Sequence, residues 1–342
     1  MKKFLNNPTV PFEINSKITV ADILNQMAKT SFQARNLGKA FAIYKKMLSI
    51  KTMIFFGLAG AMIPAGMRNV ISFLIKNRYL DCIVATGANI FHDIVESLGY
   101  HHYIGTNYCD DNELRKHRID RIYDTFASED DFIATDNFIA DFAFSLPDKT
   151  YSTREFLYRL GKHLINAQKK KKLKIDGFIA TAAKNNVPIY CPSISDSSIG
   201  IALTELLYKK NRKIKFDLIK DIEETAFLCA KFKSSSVIYI GGGVPKNFIQ
   251  QTEVTAPFIG YPVSGHKYAI QITQDSPQWG GLSGCTFDEA QSWGKIACDA
   301  KTVTIYADAT IVLPILVTAL AQEKIKRKFI PKFQLSEDLK VS

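Results

Sequence analysis

A lysine placed just after a tryptophan is the strongest chemical signal in this sequence. Lys295 follows Trp293 by two residues and Glu289 by six, at the end of a short helix predicted to begin near Thr286. Glu289 and Trp293 are four residues apart and therefore share one helix face. A lysine desolvated by such neighbours has a lowered pKa and can act as an amine nucleophile. On residue types alone, a solvated surface lysine stays the better interpretation.

Small and acidic residues follow several of the predicted strands. Three glycines at 241–243 come directly after a strand at 237–240, where bare backbone can approach a phosphate and the next helix adds a positive dipole. A plain tight turn is an equally common explanation. Asp196 and Asp308 also stand just after predicted strands. A carboxylate there can cap the next helix or accept hydrogen bonds from ribose hydroxyls.

The histidines and cysteines indicate no bound metal. His92 lies at the start of a predicted helix with Asp93 beside it and Glu96 one turn on, which could imitate a metal pair. The ligands are too few, so a surface or satisfied histidine is the better interpretation. The six cysteines form neither a CxxC pair nor the Cys/His spacing of zinc sites. We predict reduced thiols in or near the core.

One recurring unit must position these residues. A short β-branched run, a loop of small or polar residues and a helical pattern follow one another along the chain. This rhythm predicts an α/β fold with a mostly parallel sheet and helices on both faces. Ligands of such sheets bind at the carboxyl ends of the strands, where these loops fall. The predicted strands lie at 53–56, 82–85, 188–191, 237–240, 268–273 and 303–306.

A single large domain is predicted for the 342 residues, because sheets of this class absorb such a length around one core. Residues 1–50 form an N-terminal arm with helices packed on the core, 51–330 the α/β domain and 331–342 a C-terminal tail. The acidic and aromatic stretch 109–152 breaks the alternation. It predicts a helical excursion with an exposed loop near 128–131.

The net charge of +11 is concentrated in two lysine-rich runs, 169–174 and 324–332. Neither run is interleaved with aromatic residues and no nucleic-acid motif is present, so we expect solvated surface and no nucleic-acid partner. The N-terminus lacks the apolar core of a secretion signal. The longest apolar run, 307–320, is shorter than the roughly 20 residues of a spanning helix. We therefore expect a cytosolic protein without a membrane span.

Several motifs in order resemble the deoxyhypusine synthase family. They are TSFQARNLG at 30–38, DSSIG, GGGVPKN, LSGCTFDEA, QSWGKI and YADAT, and the likeness runs from about residue 8 to about 325. The resemblance implies a Rossmann-like fold, a homotetramer and NAD sites near subunit interfaces. It also implies that NAD takes a hydride from a polyamine such as spermidine. An enzyme lysine then carries the aminobutyl group as an imine to an acceptor amine, and the hydride returns.

The resemblance assigns roles residue by residue. It makes Lys295 the imine-forming lysine, with Trp293 and Glu289 lining the amine pocket and Asn247 and His92 at substrate positions. The positions that it assigns to NAD binding are Thr86, Gly87, Ala88, Asp196, Gly241, Gly242, Gly243, Ser283, Asp308 and Ala309.

The residues at substrate positions depart from the family pattern, whereas the residues at NAD-binding positions match it. Losing carboxylates that pair with ammonium groups weakens binding of a long polyamine. The pattern is more similar to the bacterial deoxyhypusine-synthase-like branch, some of whose relatives make homospermidine. The departures are Ile201 and Leu282 in place of acids, Asn247 in place of a histidine, His92 in place of an acid, and Gly60, Ala61 and Pro64 in place of polar residues.

Three functions follow from these observations. In one, the acceptor is a protein lysine; in another it is putrescine, which gives homospermidine. The altered pocket slightly favours the small molecule, whereas the resemblance to the family favours the protein acceptor. A third possibility is a catalytically silent homologue that binds NAD or acts by subunit assembly. Retention of the lysine, tryptophan and glutamate together argues against the silent homologue.

Overall fold

Strands and helices alternate over most of the chain. The computed structural model describes residues 5–173, 177–232 and 234–341, so Lys174 of the first basic run lies outside the described residues. The strands are β1 (Met53–Leu58), β2 (Cys82–Ala85), β3 (His102–Ile104), β4 (Ile119–Ile122), β5 (Thr125–Ser128), β6 (Thr150–Tyr151), β7 (Ile189–Tyr190), β8 (Lys215–Phe216), β9 (Ser235–Ile240), β10 (His266–Thr273), β11 (Ile296–Tyr306), β12 (Phe333–Gln334) and β13 (Lys340–Val341).

The helices fill the connections between these strands. A single π-helical turn, Ile63–Met67, and a 3-10 turn, Pro277–Trp279, supplement them. The α-helices are α1 (Val20–Met27), α2 (Phe32–Ser49), α3 (Arg68–Lys76), α4 (Gly87–Ser97), α5 (Asp111–Lys116), α6 (Glu129–Ser145), α7 (Thr153–Lys170), α8 (Phe178–Lys184), α9 (Ser198–Lys210), α10 (Leu218–Lys231), α11 (Gly243–Phe258), α12 (Phe287–Ser292) and α13 (Ala309–Gln322).

Six strands form the central sheet in the order β7-β2-β1-β9-β10-β11, and every neighbouring pair is parallel. Counted along the chain, this order is 3-2-1-4-5-6, the arrangement of a Rossmann-like sheet. The order reverses between β1 and β9. The predicted fold class is therefore confirmed, and the crevice that such sheets use for ligands lies where β1 and β9 end.

The two faces of the sheet carry separate apolar cores, because successive strand residues point to opposite sides. Ile54 and Phe56 of β1 belong to a large core that also contains residues of α1, α2 and α13. Met53 and Phe55 belong to a second core, together with Leu228 of α10 and residues of α11 and α12. Helices on both faces were predicted, and they explain why the strands are apolar throughout.

The N-terminal helices pack closely onto this body. Thr19 and Asp22 form a reciprocal cap at the start of α1, with each side chain accepting from the other residue's backbone N–H at 3.1 Å. A Cβ atom at Gly38 would lie 2.4 Å from Ala28 N, so the glycine lets α2 approach the end of α1. At the other end of the chain, Arg154 donates to Leu335 O at 2.8 Å, which fixes the tail. The exact domain boundaries remain a prediction.

The stretch 109–152 contains the predicted helical excursion, as α5 and α6, but it differs from its prediction in two respects. It contributes β4 and β5 to a three-stranded antiparallel sheet in the order β3-β5-β4. The expected exposed loop near 128–131 is the beginning of α6, where Ser128 Oγ accepts from Asp131 N at 3.2 Å. The acidic residues of that first turn stabilise the positive end of the helix dipole, so what resembled a polar loop is a helix start.

The cysteines are free thiols in the described structure. Cys82, Cys191 and Cys229 are buried, Cys109 and Cys285 are half-buried, and Cys298 alone among the six is exposed. The prediction of thiols in or near the core therefore fails only for Cys298. Within the described ranges, none of the helices combines the length and the apolar composition that crossing a membrane requires.

Candidate active site

The loops that follow β1 and β9 meet at the switch point of the sheet. Ala59 N donates to Ile240 O at 3.0 Å, and Gly241 N donates to Ile272 O at 2.8 Å. Gly241 and Gly243 have φ angles of +69° and +55°, in the left-handed region that favours glycine. The predicted glycine turn therefore exists, and it bends sharply from β9 into α11 at the carboxyl edge.

Ser283 packs directly on this glycine turn. Its Oγ accepts from Gly243 N at 3.0 Å, and a Cβ atom at Gly242 would lie only 2.4 Å from Ser283 Cα. Only glycine fits that position without moving the neighbouring loop. The structure thus brings together the glycines and the serine that the resemblance assigned to one cofactor.

A buried lysine lies beneath the turn and was not singled out from the sequence. Lys246 Nζ donates to Gln271 Oε1 at 2.9 Å and to Cys285 O at 2.6 Å. Gln271 Nε2 in turn donates to Gly241 O at 3.0 Å and to Ser283 O at 2.7 Å. Burial lowers the pKa of Lys246 to about 8. These bonds hold the turn and the serine loop in a fixed relation.

Lys295 lies in the connection between α12 and β11. The predicted start of this helix near Thr286 is confirmed, since Thr286 caps it and its Oγ1 accepts from Glu289 N at 3.0 Å. Lys295 is half-buried, and its Nζ lies 5.3 Å from the Trp293 ring centroid, a cation-π distance. Trp293 is 65% exposed and Glu289 is also exposed. In a single chain, the expected aromatic wall therefore faces solvent.

Lys295 and Asp308 lie at opposite ends of β11. Lys295 directly precedes the strand, and its carbonyl accepts from His266 N at 3.1 Å, whereas Asp308 follows the strand. β10 pairs with β11 from His266 to Thr273, and seven residue steps of about 3.3 Å separate those ends by roughly 23 Å. The backbone of Lys295 is thus not among the loops at the carboxyl edge, whereas its charge reaches Lys246 beneath the glycine turn and contributes to lowering the pKa of that amine.

The loops after β1, β2 and β7 form a second group. Asn89 Nδ2 donates to Gly60 O at 2.7 Å and to Thr86 Oγ1 at 2.9 Å, which joins the first two loops. A Cβ atom at Gly87 would lie 2.4 Å from Ser197 Oγ, so the third loop touches the start of α4. Asn89 is buried and was not singled out from the sequence. Ala88 is exposed in the first turn of α4, and Asn247 is half-buried in the first turn of α11.

The two acids predicted for ribose binding are far apart. Asp308 caps α13, since its Oδ1 accepts from both the N–H and the hydroxyl of Thr310 at 2.7 Å, and Ala309 begins that helix. Asp196 is exposed, and Ser197 occupies the cap position of α9. Asp308 follows β11 and Asp196 follows β7, the two edge strands of the sheet. Five strand spacings of about 4.8 Å put those edges roughly 24 Å apart.

His92 belongs to a chain of three side chains. Its Nδ1 lies 2.9 Å from His102 Nε2, and His102 Nδ1 lies 2.8 Å from Glu96 Oε1. Burial, and to a lesser extent the His102 charge, lower the pKa of His92 to about 4, so the ring is neutral at physiological pH. Asp93 is bound instead by Arg68 Nε at 2.8 Å. The interpretation of His92 as a satisfied histidine is confirmed, while His102 was wrongly passed over.

A cleft of about 640 Å³ lies between the loop after β1, the start of α13 and the three-stranded sheet. It combines a predicted cofactor residue, Asp308, with His102, the middle member of the chain of three side chains. Among the residues that line it are Ala61, Pro64, His102, Tyr123, Asp308 and Thr310.

The sheet order and the glycine turn at its switch point define a Rossmann-like α/β protein with a ligand crevice. A family model described as deoxyhypusine synthase matches residues 22–320, and the chain belongs to the deoxyhypusine synthase family. It is 50% identical over 321 residues to "Probable deoxyhypusine synthase 2" of Methanosarcina acetivorans, covering 94% of this chain and 91% of that protein.

Two further comparisons agree with this assignment. The chain is 48% identical over 295 residues to "Probable deoxyhypusine synthase 2" of Archaeoglobus fulgidus, covering 86% of this chain and 95% of that one. A crystal structure described as a "putative deoxyhypusine synthase" from Entamoeba histolytica has a TM-score of 0.65 at 19% identity. The match covers 94% of this chain and 98% of that one, and it supports the fold. Both sequence relatives are archaeal, so placement in the bacterial branch stays an expectation.

Proposed function

We propose that this chain is an NAD-dependent aminobutyl transferase in which Lys295 carries the aminobutyl group as an imine. The observation that carries the proposal is the position of the Lys295 amine, 5.3 Å from the Trp293 ring centroid, in a member of this family. An aromatic face suits a cationic polyamine nitrogen, and the nearby Glu289 carboxylate can accept its hydrogen bonds.

The residues at the carboxyl edge fit a dinucleotide. The helices α4, α9 and α11, which follow β2, β7 and β9, begin without a side chain that caps them. Their first-turn N–H groups are thus suited to phosphate oxygens, and the glycines 241–243 leave the backbone accessible. When bound there, NAD would accept a hydride from the polyamine carbon and later return it. Thr86, Gly87, Ala88, Asp196, Ser283, Asp308 and Ala309 would complete the binding site.

Lys295 would act on the oxidised polyamine carbon. Its amine forms a new carbon–nitrogen bond, and the polyamine nitrogen leaves as an amine that takes up the released protons. An acceptor amine then adds to the same carbon and displaces Lys295, which regains its hydrogens. His92 and Asn247 would contact the polyamine. The neutral His92 offers a hydrogen bond there but no counter-charge.

We infer that a second copy of the chain completes this site. Lys295 and Asp308 precede and follow the same strand, so one chain would not bring them to the same end of a dinucleotide. The exposed Trp293 and Glu289 need a covering surface before they can exclude water. A site built from two chains accords with the homotetramer that the resemblance implies.

Putrescine is a second candidate substrate, with homospermidine as the product. Ile201 is 61% exposed and Leu282 is half-buried, and neither can pair with an ammonium group at the positions where the family has acids. A short diamine needs fewer carboxylates than spermidine, so these positions favour putrescine over the longer polyamine.

Borohydride trapping tests the proposal. The chain is incubated with NAD and labelled putrescine or spermidine and then reduced, and the adduct is located by mass spectrometry. We expect label on Lys295, none in Lys295→Arg, and full labelling in Lys301→Arg, which changes an exposed lysine of β11. No adduct with any diamine would favour the silent homologue. Product analysis with and without a candidate acceptor protein separates the two transferase reactions.

A further inference from the structure

Three buried side chains outside the proposed transferase site converge at the amino ends of β9 and β10. Cys229 comes from α10, Glu253 from α11 and His266 from the first position of β10. They are 2%, 5% and 0% exposed, and one ligand atom of each lies within 4.8 Å of the others. This edge of the sheet is opposite the glycine turn.

One distance within this cluster matches a tetrahedral metal site, whereas the others are the shorter distances of hydrogen bonds and would lengthen by roughly 0.6 Å around an ion. His266 Nδ1 lies 3.2 Å from Glu253 Oε1, close to the edge of about 3.3 Å between nitrogen and oxygen ligands on zinc. Cys229 Sγ lies 2.9 Å from the same oxygen. Ser235 Oγ lies 2.7 Å from both Nδ1 and Oε1 and 3.6 Å from Sγ, near a fourth corner.

Neighbouring backbone groups orient two of the three side chains. His266 Nε2 faces Ile249 O at 3.3 Å, which makes Nε2 the protonated nitrogen of a neutral ring and leaves the Nδ1 lone pair facing the cluster. Gly265 N donates to Glu253 Oε2 at 2.9 Å and leaves Oε1 for the cluster. Metal ligands are typically held by such outer hydrogen bonds.

Without an ion, two hydrogen bonds satisfy this cluster. The Cys229 thiol donates to Glu253 Oε1 at 2.9 Å, which leaves the Ser235 hydroxyl free to donate to His266 Nδ1 at 2.7 Å. A bound cation would displace the thiol proton, take the Cys229 sulfur as a thiolate and bind the lone pairs of Oε1 and Nδ1.

A path from solvent leads to these ligands. A cavity of about 500 Å³ is lined by Cys229, Ser235 and Glu253 on one side and by the loop at 261–265 on the other. An ion could enter through this opening, and a water molecule within it could complete the coordination.

We propose that Cys229, Glu253 and His266 bind one zinc ion, with Ser235 or a water molecule from the cavity as the fourth ligand. One sulfur, one nitrogen and one oxygen donor form a set that zinc accepts. The thiolate and the carboxylate neutralise the ion, so the buried site carries no net charge. The ion would connect α10, α11 and β10. It would take no part in the transferase chemistry, although His266 N donates to the carbonyl of Lys295. The spacing rule used on the sequence does not detect it, because the ligands come from separate elements.

Metal content and cobalt spectroscopy test this proposal on the full chain. After chelator treatment, loading with zinc and gel filtration, we expect one zinc per chain by mass spectrometry. Cobalt should give a thiolate charge-transfer band. The zinc and the band should be lost in Cys229→Ser and His266→Gln and kept in Cys298→Ser, which changes an exposed thiol. Ser235→Ala should weaken affinity by about 10–100-fold.

An alkylation assay keeps the test valid if a variant does not fold. In the wild-type chain, zinc should slow alkylation of Cys229 and leave that of Cys298 unchanged. Equal alkylation rates of Cys229 with and without zinc would overturn the proposal. So would a wild-type chain that retains no zinc, or equal retention in Cys229→Ser and Cys298→Ser. The cluster would then be held together by the hydrogen bonds of the Cys229 thiol and the Ser235 hydroxyl.

Discussion

Lys246 Nζ lies 2.9 Å from Gln271 Oε1 in the buried layer beneath the glycine turn. Lys246 is the one lysine among the described residues that is buried. Gln271 binds the carbonyls of Gly241 and Ser283, so the pair connects the turn, the serine loop and β10. Changes at either residue are therefore expected to act on the cofactor half of the site.

The buried amine makes stability depend on pH. Because burial lowers the pKa of Lys246 from 10.5 to about 8, the unfolded chain holds a proton between these pH values that the folded chain has released. The free energy of unfolding therefore rises with pH in this window, by up to about 3 kcal/mol. Lys246→Met should lack this rise in urea unfolding at pH 7.5 and 10. If the free energy of unfolding changed with pH equally in Lys246→Met and the wild type, the proposed role of Lys246 would be contradicted. Lys301→Met, which changes an exposed lysine, is the control.

Gly242→Ala should disturb the glycine turn. The added Cβ would lie 2.4 Å from Ser283 Cα, so the loop must move, at a cost of about 1–3 kcal/mol in the free energy of unfolding. NAD affinity should fall as well, measured by calorimetry. Gly281→Ala is the matched control, because its Cβ would meet nothing within 4 Å. Equal losses in the two variants would show that the contact with Ser283 is unimportant.

His92 should make the fold sensitive to acid. Its pKa is about 4 in the folded chain and 6.5 in its ordinary state, so the unfolded chain binds the extra proton first as pH falls. Stability is lost from about pH 6.5 towards 4, by up to about 3 kcal/mol from this group. His92→Asn should flatten that part of the profile, and the exposed His101→Asn should not. An unchanged profile in His92→Asn would rule out this role.

Much of the fold could be predicted because the period of apolar residues is a local property. β2 was predicted at its observed bounds, and the glycine turn was expected where it lies. β11 begins at Ile296, seven residues before the predicted start, because the polar residues near Asp299 hide its first part and the pairing with β10 shifts between His266 and Tyr268. β4 and β5, four residues each and half-buried, carry too little pattern to be distinguished from loop.

The candidate site was less accessible to prediction than the fold. Lys246 and Gln271 are 25 residues apart, and their contact leaves no local pattern. The same holds for His92 and His102, which meet only because β3 returns beside α4. Asp196 and Asp308 were both assigned to NAD binding, but the strand order puts them at opposite edges of the sheet. Motif matching identified residues one at a time, and only the topology decides which of them meet.

Trp293 offers a direct optical test of the proposed amine pocket. The chain has two tryptophans, and both Trp279 and Trp293 are exposed, at 77% and 65%. In Trp279→Phe, the remaining emission reports Trp293 alone. Binding of NAD and a diamine should shift this emission to shorter wavelength and quench it, because a desolvated ring beside a cation loses contact with water. Trp293→Phe, which keeps Trp279, should show no such shift. A ligand-induced shift from Trp279 but none from Trp293 would place the amine pocket elsewhere.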